Sequence, residues 1–259
     1  MLKVLRAEPK STFEYGPFKI RRMRPGKIVI DQEAKQGLEQ ESKQAAEKND
    51  DAFGPLSVID HANLLTGTLV SMHEHVNDEI LSYVWQGSMV HEDSTGNRTP
   101  LSSKRIMMMN AGKSFWHEES TPIVAAEMLQ IFIRPRQANL EGRVQFFDRP
   151  DGIKTKEWTL LAAPEGENAP LEIRQEVYVY DVKLEHKDLI EIPQQTGFAQ
   201  FLYVMDGEIS AENNVLYKGD AVSGDDPLPE IESTGNSTLL CFLVKLDAEA
   251  VKDGSISGL

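Results

Sequence analysis

The sequence predicts an all-β protein built from two antiparallel β-barrels in tandem, with few short helices. Three observations carry this reading. Short runs of β-type apolar residues follow one another: LLTGTLVSM, ILSYVWQG, RIMMMNAG and MLQIFIRP, then VYVYDVKL, AQFLYVMDG, EISAENNVLY and TLLCFLVKL. Gly, Asn, Asp and Ser punctuate them, as in DSTGN at 93–97 and NAG at 110–112, the rhythm of hairpin-connected strands. Tyr83-Val84-Trp85-Gln86-Gly87 returns 120 residues later as Tyr203-Val204-Met205-Asp206-Gly207, each between two strand-like runs, which points to a repeated unit.

The elements follow in order along 259 residues, of which 40% are hydrophobic, enough for a sizeable core. KIRRMRPGK at 19–27 reads as an N-terminal strand with a solvated basic face. Residues 31–52 contain no aromatic residue and consist largely of Glu, Gln, Lys and Ala. That composition favours helix, and its few apolar positions make it a surface segment. Residues 138–170 hold few apolar runs and three prolines, Pro150, Pro164 and Pro170, and read as a linker with irregular structure. The expected division is a first barrel at 1–137 including the charged insert at 31–52, a linker at 138–170 and a second barrel at 171–259.

Composition limits the function classes. A net charge of −14 and a pI near 4.9 disfavour binding that relies on neutralising phosphates, so no direct nucleic-acid binding is expected. The single cysteine, Cys241, lies in an apolar run and reads as a buried, inert thiol. The opening LKVLRAEPK lacks the apolar core of a signal peptide, and no stretch approaches the ~20 apolar residues that span a bilayer. These features predict a cytoplasmic protein with no membrane partner.

The chemistry-bearing residues sit in the first half. On a strand, residues i and i+2 face the same side, so His73 and His75 project together, about 7 Å apart along the backbone. The same parity joins His117 and Glu119 in FWHEES. A barrel could turn both pairs inward and converge three imidazoles and one carboxylate on one cation. Glu79 competes with Glu119 for the carboxylate position, unless Asn77-Asp78 makes a turn and re-aims it. His61, His91 and His186 fall outside this set. His91 reads as a surface or supporting residue near a hairpin tip. Met107-Met108-Met109 reads as a core strand, and by parity one of Phe115 and Trp116 should face the site. Shifted by 120, His73 and His75 fall on Pro193 and Gln195, and Glu79 on Ala199, so the second half lacks these ligands.

Gly67, His73, His75 and Glu79 resemble the first cupin motif, with Gly87 one residue late. HEHVNDEILSYVWQGSMVHEDSTGN followed by MNAGKSFWHEES is similar to the N-terminal domain of the pirin-like bicupins. The resemblance is strong over about residues 55–135 and weak in the C-terminal half. It implies a bicupin of two jelly-roll domains, with His73, His75, His117 and Glu119 as ligands to one metal and a second domain without metal. It favours Glu119 over Glu79. The family pattern has Pro between the first two histidines and Arg-Gly-Phe after them; here stand Glu74 and Val76-Asn77-Asp78.

Such a ligand set suits Fe(II), Ni, Mn, Cu or Zn, and ligand type does not choose between them; Fe(II) is the expected ion. The resemblance implies an oxidoreductase, a quercetin 2,3-dioxygenase-like activity on a flavonol or related aromatic molecule with dioxygen. Glu119 is the expected catalytic base for the flavonol hydroxyl. The alternative is a non-enzymatic, metal-dependent regulator that contacts a protein partner through residues 31–52.

Overall fold

The computed structural model describes residues 1–7, 12–28 and 50–259. All but the last three residues of the charged segment read at 31–52 lie outside them. The first half comprises β1 (Leu2–Leu5), β2 (Thr12–Tyr15), β3 (Phe18–Met23), β4 (Leu56–Leu64), β5 (Leu69–His75), β6 (Glu79–Asp93), β7 (Arg98–Ser102), β8 (Arg105–Asn110), β9 (Phe115–Ser120) and β10 (Ala126–Ile133). The remainder comprises β11 (Arg143–Asp148), β12 (Thr159–Pro164), β13 (Leu171–Ile173), β14 (Val177–Leu184), β15 (Leu189–Ile190), β16 (Ala199–Asp206), β17 (Glu208–Ala211), β18 (Asn214–Tyr217), β19 (Ala221–Gly224), β20 (Ile231–Ser233) and β21 (Ser237–Val244). Every named element among the described residues is a strand, and helical backbone appears there only at Lys27-Ile28, at the edge of the described stretch. No helix among the described residues is long and apolar enough to cross a membrane.

The repeat read from five residues extends to whole sheets. The first half orders its strands β8-β6-β10-β4-β3 and the second β19-β16-β21-β14-β12. Strand for strand, β6 corresponds to β16, β10 to β21 and β4 to β14. Both copies kink at the same place. The ladder between β6 and β10 skips Trp85, and that between β16 and β21 skips Met205. A bulge of this kind bends the strand and sharpens its twist. Gly87 and Gly207 follow at φ 75° and 85°. A Cβ there would stand 1.8 Å from the Ala125 carbonyl oxygen and 2.3 Å from that of Asn236, so glycine is required at both positions. The sheets remain open jelly-roll layers; their ladders do not close into rings.

Alternation along these strands builds three cores. Leu81, Tyr83, Leu129 and Ile131 face Phe201, Tyr203, Leu240 and Phe242 between the halves. Ile80, Val84, Met107, Met109, Met128 and Phe132 turn the other way and fill the first half. Leu202, Val204, Leu239, Cys241 and Leu243 fill the second. Central strands buried on both faces read as unbroken apolar runs, which is why TLLCFLVKL shows no polar alternation. Met107-Met108-Met109 is core, with Met108 facing the partner half, and Cys241 is buried as a free thiol.

Three local expectations change. The segment 138–170 carries two strands, β11 (RVQFFD) paired with β8 and β12 (TLLAAP) paired with β14, whose short apolar runs join the sheets of the two halves. The first strand, β1, joins β19 in the sheet of the second half. The basic stretch at 19–27 is not simply solvated: Arg22 grips the buried Asp60 through two bonds of 2.8 and 2.6 Å.

Candidate metal centre

The site is a two-stranded ribbon, β5 against β9, that leaves the main path of the sheet. In its register His73 lies directly opposite His117, and His75 follows two residues on along the same face. The imidazole centroids are 5.0, 4.5 and 5.2 Å apart for the pairs His73–His75, His73–His117 and His75–His117. One ring nitrogen from each lies within 4.8 Å of the others. His75 and His117 are buried and His73 is half-buried, so the cluster opens to solvent at His73.

Each of the three rings has its Nδ1 already engaged. His73 Nδ1 donates to the Ser71 carbonyl at 2.9 Å, an oxygen that can only accept. His75 Nδ1 lies 3.0 Å from Asp78 Oδ2. His117 Nδ1 lies 3.2 Å from His91 Nδ1. At His73 and His75 this leaves the Nε2 lone pair for a cation; His117 Nε2 is buried with no hydrogen-bond partner and is left for the same cation when its Nδ1 donates to His91. Burial pulls the His117 pKa down to about 2, helped by His73, His75 and His91, and burial lowers His73 as well. Imidazoles whose Nδ1 atoms are held by hydrogen bonds are the form a transition metal takes, so the residues present fit such an ion.

Asp78 is itself held from the far end of the chain. Its carboxylate accepts from the Ser257 amide at 2.9 Å, the Ser257 hydroxyl at 2.7 Å and the Ile256 amide at 3.1 Å. The Val76 amide donates to Ser255 Oγ at 2.8 Å. The C-terminal turn thus orients a histidine about 180 residues earlier in the chain.

The two candidate carboxylates part company. Asn77, at φ 51°, turns the chain between β5 and β6. Glu79 is thereby aimed at Asn110 and at the Arg174 amide, 2.9 Å away, outside the histidine cluster. Glu119 shares the inward face with His117 and lies opposite His91 in register. It is not among the groups drawn within 4.8 Å. Both its oxygens accept from Gln130 Nε2, at 2.8 and 2.9 Å. Burial raises Glu119 to about 7, against the pull of His75 and Gln130. Phe115 shares His117's face, 6.4 Å from it, while Trp116 is exposed; Phe132 stands 5.9 Å from His75.

Two family models match the chain, one described as Pirin over residues 31–133 and one described as Quercetinase C-terminal cupin domain over residues 160–244. The chain belongs to the pirin family of bicupins. Among named relatives, "Putative quercetin 2,3-dioxygenase PM1685" of Pasteurella multocida is 27% identical over 196 residues, covering 73% of this chain and 82% of the relative. Quercetin 2,3-dioxygenase of Escherichia coli K12 is 28% identical over 130 residues, covering 49% of this chain and 55% of that one. The solved structure of the bacterial pirin YhhW from Escherichia coli in complex with nickel(II) superposes with a TM-score of 0.76 at 18% identity, over 94% of this chain and 99% of YhhW. A quercetin 2,3-dioxygenase from Acinetobacter baumannii superposes at 0.72 with 20% identity, over 95% of this chain and 80% of that one. These superpositions show the pirin fold.

His91, read as a surface or supporting residue near a hairpin tip, stands two residues before the β6–β7 turn, is buried at 1% exposure and contacts His117, which favours the supporting role over the surface one. Sequence reasoning on this pirin missed two contributors. Asp78 was visible only as a departure from the family pattern, and that departure supplies the carboxylate on His75. Gln130 gave no signal, since a single polar residue in MLQIFIRP reveals nothing of its partner. His61 and His186 lie elsewhere, His61 between the halves and His186 exposed in the second half.

Proposed function

We propose that this pirin is a metal-dependent dioxygenase acting on a flavonol or a related aromatic molecule. The observation that carries the reading is the set of three imidazoles whose Nδ1 atoms are all occupied and whose Nε2 atoms remain for one cation. His73, His75 and His117 would hold the ion, and Glu119 is proposed as its carboxylate partner. When bound, a divalent transition metal supplies Lewis acidity toward a phenolic oxygen and a centre suited to dioxygen chemistry; Fe(II) is the proposed ion.

The chain's own residues supply the rest. Glu119, held by Gln130 on the same face as His117, would take the phenolic proton on a carboxylate oxygen. Gln130 steadies that carboxylate through both oxygens and would hold it while the proton is carried. Phe115, half-buried beside His117, would offer flat apolar surface to an aromatic ring, while the buried Phe132 packs against His75. The half-exposed His73 marks the side from which substrate enters. The names of the relatives support the same chemistry.

The test is elemental analysis of protein purified without added metal, then anaerobic loading with Fe(II), Ni(II), Mn(II), Cu(II) or Zn(II). Oxygen uptake is then followed over a panel of flavonols. Turnover with at least one metal, lost in Glu119→Gln with metal retained, is the expected result. Stoichiometric metal binding without turnover by any form would overturn the reading.

A further inference from the structure

Between the halves lies a cavity of about 440 Å³ that shares no residue with the histidine cluster. Lys19, Arg21, Lys218, His61, Asn63 and Glu127 line it. Its floor is a buried chain of hydrogen bonds. His61 Nε2 donates to Glu127 Oε1 at 2.7 Å, so its Nδ1 accepts, from the Tyr203 hydroxyl at 2.8 Å and from Arg21 at 3.3 Å.

The internal repeat supplies a control for this arrangement. Tyr83 and Tyr203 stand 120 residues apart, and so do His61 and Asp181. Each tyrosine reaches across to the other half: Tyr83 donates to Asp181 Oδ2 at 2.9 Å, as Tyr203 donates to His61. Each acceptor also holds an arginine, Arg149 on Asp181 and Arg21 on His61. The charges differ. Arg149 is neutralised by Asp181 and covered, at 6% exposure. Arg21 faces a ring that burial keeps neutral.

The remaining charges of the cavity pair among themselves. Lys218 contacts Glu127 at 2.7 Å and Asp206 at 3.0 Å, and Lys19 contacts Glu14 at 2.8 Å. Among the described residues Arg21 has no carboxylate within ion-pair distance. Among the described residues this guanidinium, beside an open, donor-rich cavity, lacks the anion that its counterpart in the other pair possesses. We propose that this cavity binds a small oxyanion, a carboxylate or phosphate, whose charge Arg21 meets with help from Lys19 and Lys218. The site lies at the junction of the halves, so its occupant would bridge them.

The test is isothermal titration of the full-length protein with potassium phosphate and, separately, sodium succinate, at ionic strength held constant with chloride. One saturable site per chain is expected for one of the two anions, and the tighter one identifies the chemistry. Arg21→Gln should weaken it at least tenfold and Lys19→Gln about threefold, with Lys104→Gln, an exposed lysine away from the cavity, unchanged. Lys19 is exposed, so its variant keeps the test valid if Arg21→Gln disturbs folding. No saturable binding of either anion, or equal affinity in the Arg21 and Lys19 variants and the parent, would overturn the proposal.

Discussion

The two halves of this pirin share a frame and differ in what hangs from it. Strand order, bulge position and the crossing tyrosines repeat. The ribbon of β5 and β9, which carries three histidines, has as its counterpart β15 and β20, of two and three residues. Pro193 and Gln195 stand where His73 and His75 would fall. Proline has no amide to give a ladder, and the strand stops short at Ile190. The central sheets, packed on each other, tolerate little change; the outlying ribbons are free to gain or lose ligands. The difference teaches that the candidate metal site belongs to the ribbon, while the repeat as a whole serves the interface.

The strongest way to break this comparison is to count metal. His117→Ala should abolish binding, while Gln195→Ala should leave one equivalent per chain in elemental analysis. Two equivalents in the parent protein would show that the second half binds as well. Next in size is the buried ion pair. Arg149→Met strands Asp181 at 0% exposure and should lower unfolding free energy by about 3–5 kcal/mol. Arg21→Met removes bonds to the His61 ring and the Tyr203 hydroxyl and, among the described residues, no ion pair, and should cost about 1 kcal/mol. Equal losses in urea denaturation would mean that the two arginines are equally compensated.

A third difference is acid–base. Glu79 opens β6, and Ala199 opens β16 in its place. Burial raises Glu79 from 4.5 to about 7, against the pull of the Arg174 amide and Asn110. Between those values the unfolded chain has lost the proton and the folded chain keeps it. This group's contribution to stability therefore falls as pH rises from about 4.5 to about 7 and is level above. The fall is on the order of 3 kcal/mol. Glu79→Gln should flatten the curve over that window, whereas a difference curve of opposite slope would contradict the raised value. The smallest effect sharpens the role of the C-terminal turn. Asp78→Asn should weaken metal affinity about tenfold, read by chelator competition, with nitrogen NMR reporting loss of the fixed His75 tautomer. Unaltered affinity and tautomer would reduce the contact to packing.

Much of this was legible in the chain itself. Period-two spacing put His73 with His75 and His117 with Glu119, because side-chain direction on a strand is a local property. The five-residue echo foretold the repeated unit, and its shared glycine stands at positive φ in both copies because the bend demands it locally. The turn at Asn77 that removes Glu79 from the cluster was written in Asn77-Asp78. What sequence spacing left open was every contact made across the chain. His91 reaches His117 through a strand pairing, Asp78 is held by Ser257, and Glu119 faces Gln130.

By itself, then, the sequence determined the class of fold, the repeat and the inward parity of the candidate ligands, since each follows from backbone geometry over a few residues. Only the tertiary structure decided which nitrogen of each histidine is left for a cation, which carboxylate lies beside them, and that His61 and Asp181 occupy matching places with unmatched charge. Those facts depend on partners tens to hundreds of residues away, and no local rule of side-chain direction or turn chemistry reaches that far.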